Sequence, residues 1–298
     1  MDEFKKNLRE STGMRVFIYL MTLLVCVLMG TAVSFFLMHG ITQMKIGQGI
    51  SSTLIFIAPP LILYGFTRTQ PLRQLGFQKP NTAWMLLLGL VLMFVSLPFT
   101  NLLSTWNEKM NLGEAFEALE ALLKQLEETA GDLTEQMLQV DTFGGLLFNL
   151  LVIALIPAIG EELTFRGVLQ QALVRGTKNA HVGIILSAAV FSFIHFQFYG
   201  FLPRMFLGLL MGYMFYITNS LWTSMLMHFV NNGTAVVLYY LSNKGVIEDA
   251  EHFGETANVW IIVASATVTI GLIVWSWIKA QPKRQTEAAP TAPPTEND

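Results

Sequence analysis

Residues 148–174 read FNLLVIALIPAIGEELTFRGVLQQALV. The run is apolar enough to enter a bilayer, yet it holds two adjacent acids, Glu161 and Glu162, and an arginine, Arg166. Ionised carboxylates in hydrocarbon carry a large desolvation cost unless they are paired or face a polar cavity. The stretch therefore predicts an intramembrane helix that carries chemistry. Glu162 and Arg166 are four residues apart, so a helix sets them on one face, where a guanidinium fork can hold a carboxylate. Glu161 is turned about 100° from its neighbour and can face a different cavity. The plainer alternative is one buried ionic network of all three groups that only fixes helix packing.

The rest of the chain supports a membrane setting. Of 298 residues, 53% are hydrophobic and 13% charged, and mean hydropathy is +0.50. The charged share is about half that of soluble domains. A net charge of −3 argues against nucleic acid as a partner. The single cysteine, Cys26, excludes an internal disulfide and reads as apolar packing.

A bilayer span needs about 20 mostly apolar residues. Candidate spans lie near 16–38, 50–67, 83–103, 143–173, 182–198, 203–218, 221–242 and 259–278. These predict an all-α, polytopic membrane protein with about eight transmembrane helices. The first is too long for the apolar core of a signal peptide and is read as a retained helix. The fourth is too long for a simple span and is expected to tilt, to kink at Pro157, or to end in a separate piece after Gly167. Basic residues alternate with this topology. Lys5, Lys6, Arg9 and Arg15 precede the first span; Arg68, Arg73 and Lys79 follow the second; Arg175 and Lys178 follow the fourth; Lys279, Lys283 and Arg284 follow the last. All fall on one side, assigned to the cytoplasm with both termini. The other side receives the acidic segment 108–141 and a loop with Glu248, Asp249, Glu251 and Glu255.

Within that acidic segment, residues 114–139 read EAFEALEALLKQLEETAGDLTEQMLQ, with Phe116, Leu119, Leu122, Leu123 and Leu126 at helical spacing. An amphipathic helix outside the membrane is expected, lying on it or covering the bundle as a connection, lid or docking surface. The residues after Lys283 have the Pro-, Ala-, Thr- and Glu-rich composition of a disordered tail. The expected divisions are 1–142, N-terminal helices and the acidic segment; 143–243, a catalytic membrane core; 244–282, the final loop and helix; and 283–298, the tail. Gly208 and Gly212 in GLLMG permit close helix packing and carry little functional weight alone.

Two further polar sets interrupt the second half. FSFIH places His195 one helical turn after Phe191, with Ser187 and Ser192 near enough to satisfy it. HFVNN places His228 and Asn232 on one face and Asn231 on another. Each set alone reads equally as helix packing. Together, a carboxylate, two histidines and an amide on three apolar helices point to a shared catalytic or ion site. Arg204, between the fifth and sixth spans, reads as a charge that snorkels outward, with a link to the cavity as the alternative.

A carboxylate can take a proton from water, a histidine can orient that water or protonate a leaving amine, and an amide with a second histidine can stabilise an oxyanion. Those are the needs of peptide hydrolysis. No GxSxG element occurs, and Cys26 lies far from these sets. Glu161, His195 and His228 are also the ligand types of a catalytic zinc site, although no HExxH occurs. Metal-bound and metal-free activation are equally coherent at this point. A noncatalytic scaffold or bacteriocin-immunity protein, and an ion-coupled transporter, are the competing readings; no internal repeat supports the transporter.

EELTFR, FSFIH and HFVNN resemble, in order, the EExxxR, FxxxH and HxxxN motifs of the CAAX-protease and bacteriocin-processing (CPBP, Abi) family of intramembrane endopeptidases, related to type II CAAX prenyl proteases. The resemblance covers about 145–240. It implies an enzyme, a glutamate-dependent intramembrane protease commonly labelled a metalloendopeptidase. It implies that Glu161 activates water with His195, that Glu162 and Arg166 form the supporting pair, and that His228 and Asn232 stabilise the oxyanion. It implies a peptide or protein substrate and the lipid bilayer as partners, and a bacterial plasma-membrane location. It does not require a prenylated substrate.

Overall fold

The computed structural model describes residues 12–67, 70–80, 83–248, 250 and 252–288, without the side chains of residues 12 and 281–288. Lys5, Lys6, Arg9, Arg68, Asp249 and Glu251 lie outside the described residues, as do the side chains of Lys283 and Arg284. All regular structure among the described residues is helical. Among the described residues, five helical stretches are long and apolar enough to cross a membrane: Gly13–Phe36, Ile41–Thr67, Phe143–Thr177, Phe198–Thr218 and Val259–Ala280. A sixth is added if Trp84–Val95 and Leu97–Glu108, which meet at 46°, make one bent span. The protein is therefore an all-α, multi-span membrane protein. Large apolar side chains face outward, with Phe17 58%, Leu28 62%, Leu87 62% and Ile278 61% exposed, a surface that suits lipid rather than water.

The expected eight is thus reduced to five or six by length and hydropathy. Helix α11 (Ala180–Phe193) has 14 residues and reaches about 21 Å, short of a bilayer core of about 30 Å. Helix α13 (Leu221–Asn243) is long enough at 23 residues, but His228, Asn231 and Asn232 dilute its apolar character.

The N-terminal part comprises α1 (Thr12–Phe36), then α2 (Ile41–Ser52), a π-helical stretch Thr53–Ile57 and α3 (Ala58–Thr67) run together, followed by the short α4 (Pro71–Leu75). The second span thus starts at Ile41, nine residues before the expected position. Helices α5 (Trp84–Val95) and α6 (Leu97–Glu108) come next. Pro98, in the first turn of α6, lacks the N–H that would continue the α5 ladder, which accounts for the bend.

Helix α7 (Glu117–Leu138) is the expected amphipathic element. Phe116, Leu119, Leu122 and Leu126 are all exposed, whereas Glu120 and Met137 are buried. The polar edge faces the protein: Glu120 accepts from the Leu112 amide at 2.9 Å, and Asn149 donates to the Met137 carbonyl at 3.0 Å. An exposed leucine stripe on a helix beside a bundle suits an element lying in the membrane surface.

The long fourth stretch does not break at Pro157. It alternates α8 (Phe143–Asn149), π (Leu150–Leu155), α9 (Ile156–Glu162), π (Leu163–Gln170) and α10 (Gln171–Thr177). The chain runs through the proline as one unbroken helical stretch, and the two glutamates end the α segment between the wider turns. Such π segments occur frequently at functional sites. The left-handed Lys178 (φ 54°) turns the chain into α11, which Asn179 caps by accepting from the Val182 amide. Helix α11 packs on α12 (Phe201–Thr218), and α13 packs on α5, α9 and the first π stretch of the long element. The last helix, α14 (Val259–Ala288), leans on α6 and α12. It continues through Ala288; the remainder of the expected tail, 289–298, lies outside the described residues.

Candidate active site

Glu162 is the buried foundation. Its side chain is 0% exposed, and Arg166 Nη1 reaches Glu162 Oε1 at 2.8 Å. The remaining capacity of the guanidinium is used across a helix interface, where Nη2 donates to the Gly208 carbonyl at 2.9 Å. One turn on, Gln170 Nε2 donates to the Gly212 carbonyl at 2.9 Å. The i, i+4 pair Arg166 and Gln170 thus reads the i, i+4 pair Gly208 and Gly212. A Cβ on Gly212 would stand 2.8 Å from Gln170 Oε1, so the missing side chain admits the contact. The glycine spacing in α12 serves the buried arginine as well as packing.

His228 joins both acids. Its Nδ1 donates to Glu162 Oε1 at 3.0 Å, and its Nε2 stands 3.8 Å from Glu161 Oε2. The expected Glu162–Arg166 pair is present, with His228 as an added third member. Glu161 keeps 14% of its side-chain surface and opens into a cavity of about 310 Å³. The expected residues Glu161, His195, His228 and Asn232 all line that cavity.

His195 arrives there by a different route from the one its spacing suggested. Helix α11 ends at Phe193, so His195 lies in the turn beyond it. Its Nδ1 donates to the Phe191 carbonyl at 2.7 Å, which leaves Nε2 as an acceptor. Ser187 and Ser192 do not satisfy it: they donate to the carbonyls of Phe165 at 3.2 Å and Phe201 at 2.7 Å. Phe191 holds the cluster together. The Arg166 guanidinium sits 4.8 Å from its ring centroid, and its ring meets those of His195 at 5.1 Å and His228 at 6.0 Å, both edge-on.

Asn232 is anchored to the long helix, with Nδ2 donating to the Ile153 carbonyl at 3.3 Å. Pro157 stands four residues after Ile153 and has no N–H to offer that carbonyl. Asn231 does not point away. It lines the cavity and donates to Asn232 Oδ1 at 3.1 Å.

Residues 143–234 match the family model described as Type II CAAX prenyl endopeptidase Rce1-like. This endopeptidase-like segment is about a third of the chain, and it contains Glu161 through Asn232. No curated protein and no solved structure matches the chain. A membrane-embedded segment similar to a CAAX endopeptidase therefore carries a buried His–Glu–Glu cluster, an arrangement consistent with glutamate- and histidine-dependent proteolysis.

The expected zinc set fails geometrically. Among the described residues, no three His, Cys, Asp or Glu side chains converge on a metal position. The Nδ1 bonds of His228 to Glu162 and of His195 to the Phe191 carbonyl leave both Nε2 atoms free, as in a metal-bound histidine, but the three side chains are not gathered on one point in this structure, and no step is routed through a metal.

Residues outside the endopeptidase-like motifs also reach the cavity, among them Ser104 from α6, Gly200, and Arg204 from α12. Arg204 does not extend to solvent. It is partly buried, and its Nη2 donates to Gln197 Oε1 at 2.9 Å. The sequence signal for it was a lone cation inside an otherwise apolar helix, which alone does not separate inward from outward. Helix α7 braces the same region, where Glu127 accepts from the Tyr199 amide at 3.1 Å; burial raises the Glu127 carboxyl above the usual carboxylate range.

Proposed function

We propose that this chain is an intramembrane endopeptidase that hydrolyses a peptide bond in a peptide or membrane-associated protein, using water activated by Glu161. The observation that carries this reading is the opening of Glu161, His195, His228 and Asn232 into one small cavity, with Glu162 and Arg166 fixed behind it. Glu161 is the acid with the looser surroundings, and its carboxylate can take a proton from water. His195 Nε2 accepts a hydrogen bond from the other water O–H, which keeps its proton, and so orients the oxygen toward the carbonyl carbon. As the C–O bond forms, negative charge develops on the carbonyl oxygen. Asn232 Nδ2 has a second N–H beyond the one given to Ile153, and a protonated His228 offers Nε2–H; both can meet that oxygen. Glu162 stabilises the imidazolium through Nδ1. Collapse breaks the C–N bond, and the proton held by Glu161 passes to the leaving amine.

We also place α11 and α13 within the membrane, since they carry His195 and His228 toward a site shared with the long fourth stretch. With the bent α5–α6 pair this gives eight membrane helices, both termini on the basic, cytoplasmic side of a bacterial plasma membrane. Native substrate processing of the CAAX type is one instance of the chemistry.

Purified protein in vesicles, given a quenched-fluorescence peptide library, is the test. Glu161→Gln and His195→Ala are expected to lose about 10²- to 10⁴-fold in turnover while folding normally. Unchanged turnover in both would overturn the reading and favour a binding-only protein.

A further inference from the structure

The proposed mechanism leaves one charged group of the cavity unused. Arg204 lines the chamber together with Glu161. Its Nη2 is held by Gln197 Oε1 at 2.9 Å, but its Nη1 is buried with no hydrogen-bond partner among the described residues. A buried guanidinium nitrogen without an acceptor is costly, and more so than a neutral donor. The surroundings are nevertheless built to keep it there. Gly200 makes the space: a Cβ at that position would stand 2.9 Å from Nη2 and 3.3 Å from Nη1. The turn that carries Gly200 is clamped from both sides. Asn107 of α6 donates to the Phe198 carbonyl at 2.9 Å and accepts from the Leu202 amide at 2.6 Å. Glu127 of α7 accepts from the Tyr199 amide at 3.1 Å. Arg204 is therefore a preorganised cation with an unmet donor, on a residue that lines the chamber.

We propose that Arg204 is the specificity group of this site and binds a carboxylate carried by the substrate close to the bond that is cut. The inference rests on the endopeptidase reading. A planar guanidinium with free donors is the geometric complement of a carboxylate. Glu161 is the other carboxylate in the chamber, and it is committed to water. A chamber of about 310 Å³ admits only a few residues, so an anion on Arg204 lies within a few residues of the carbonyl facing Glu161. Two sources share this chemistry: a free C-terminal carboxylate, or an Asp or Glu side chain.

The experiment uses the full chain in vesicles and quenched peptides of one sequence in three forms: free C-terminal acid with an internal Gln, C-terminal amide with an internal Gln, and C-terminal amide with an internal Glu. The wild type is expected to prefer one carboxylate form by about 10- to 100-fold in kcat/KM, chiefly through KM. The preferred form identifies the source. Arg204→Gln collapses the preference to within about twofold, and Arg204→Lys recovers part of it. Gly200→Ala displaces the guanidinium without removing charge and is expected to weaken the preference, which keeps the test alive if Arg204→Gln does not fold. Equal rates on all three peptides in the wild type overturn the proposal while leaving the protease reading intact. Binding of the same peptides to Glu161→Gln separates the two conversely. A carboxylate preference in binding, with no cleavage by the wild type, upholds the role of Arg204 and removes the protease; equal binding of acid and amide forms overturns the role of Arg204.

Discussion

Glu162 Oε1 accepts the Nδ1 proton of His228 at 3.0 Å, and the same oxygen accepts from Arg166 Nη1 at 2.8 Å. One buried oxygen thus sets both the orientation of the histidine and the position of the arginine. The adjacent acids occupy unlike positions, one buried against an arginine and one open to the cavity. Glu162 organises, and Glu161, at the other edge of the same imidazole, is left to face the cavity. Glu162 Oε2 remains without a hydrogen-bond partner among the described residues. Ser224 stands beside this carboxylate, with its hydroxyl directed at the Leu221 carbonyl at 3.3 Å.

This division of labour gives unequal outcomes for two matched substitutions. Glu162→Gln leaves the Arg166 charge buried without its counter-ion and is expected to cost about 3–5 kcal/mol. Glu161→Gln removes a carboxylate with no hydrogen bond among the described residues and is expected to cost little stability while abolishing turnover. Thermal unfolding in detergent beside a turnover assay decides it. Equal destabilisation by the two changes would mean that Glu161 is structural.

Arg166→Lys tests whether charge alone suffices. The guanidinium serves an acceptor in its own helix and another in α12 through two separate nitrogens. A lysine offers one compact ammonium and no planar fork. The expected result is a loss of about 2 kcal/mol or more, the scale of a charged hydrogen bond with its buried carbonyl partner left unmet, together with reduced turnover. Wild-type unfolding of Arg166→Lys would show that the Gly208 contact contributes nothing.

Phe191 offers a test of ring against bulk. Its ring touches Arg166 and both histidines, while its carbonyl fixes His195. Phe191→Leu keeps the carbonyl and most of the volume but removes the π face. The cation–π share is about 0.5–2 kcal/mol, so a modest stability loss is expected with a larger fall in kcat than in KM, because both histidines lose a wall. A change confined to KM would place the ring in substrate binding instead.

Much of this was legible because ionisable groups in apolar runs have few places to go. The i, i+4 relation of Glu162 and Arg166 required their pairing once the segment was helical. The convergence of Glu161, His195, His228 and Asn232 followed from the scarcity of partners elsewhere in the bundle. Other features depend on information that spacing does not hold. Helical periodicity alone cannot reveal the π turns on either side of the glutamates, where the long helix packs on α13 and the Thr53–Ile57 stretch. It also carried His195 onto a helix that ends at Phe193. The direction of Arg204 hinges on Gly200 and Gln197, which lie in a turn whose path only tertiary structure defines. Length and hydropathy count fewer spans than the sequence reading for a related reason: α13 is made less apolar by the very residues that furnish the site.

The contact between Asn232 and Ile153 yields the most specific expectation. Asn232 Nδ2 donates to the Ile153 carbonyl at 3.3 Å, four residues before a proline that cannot donate to it. Asn232→Ala should therefore cost about 0.5–1.5 kcal/mol, the net worth of a typical hydrogen bond. Pro157→Ala supplies a backbone N–H at the position where an α-helix would use it. If the asparagine compensates for the proline, Asn232→Ala should cost less in a Pro157→Ala background than in the wild type, with a coupling of about 0.5–1.5 kcal/mol in the double-mutant cycle. Turnover should behave differently. The oxyanion role assigned to the amide is not replaced by a helix N–H, so Asn232→Ala should remain slow in both backgrounds. Strict additivity of the two stability changes would break the link between proline and asparagine. Rescue of turnover by Pro157→Ala would show that Asn232 only shapes the helix.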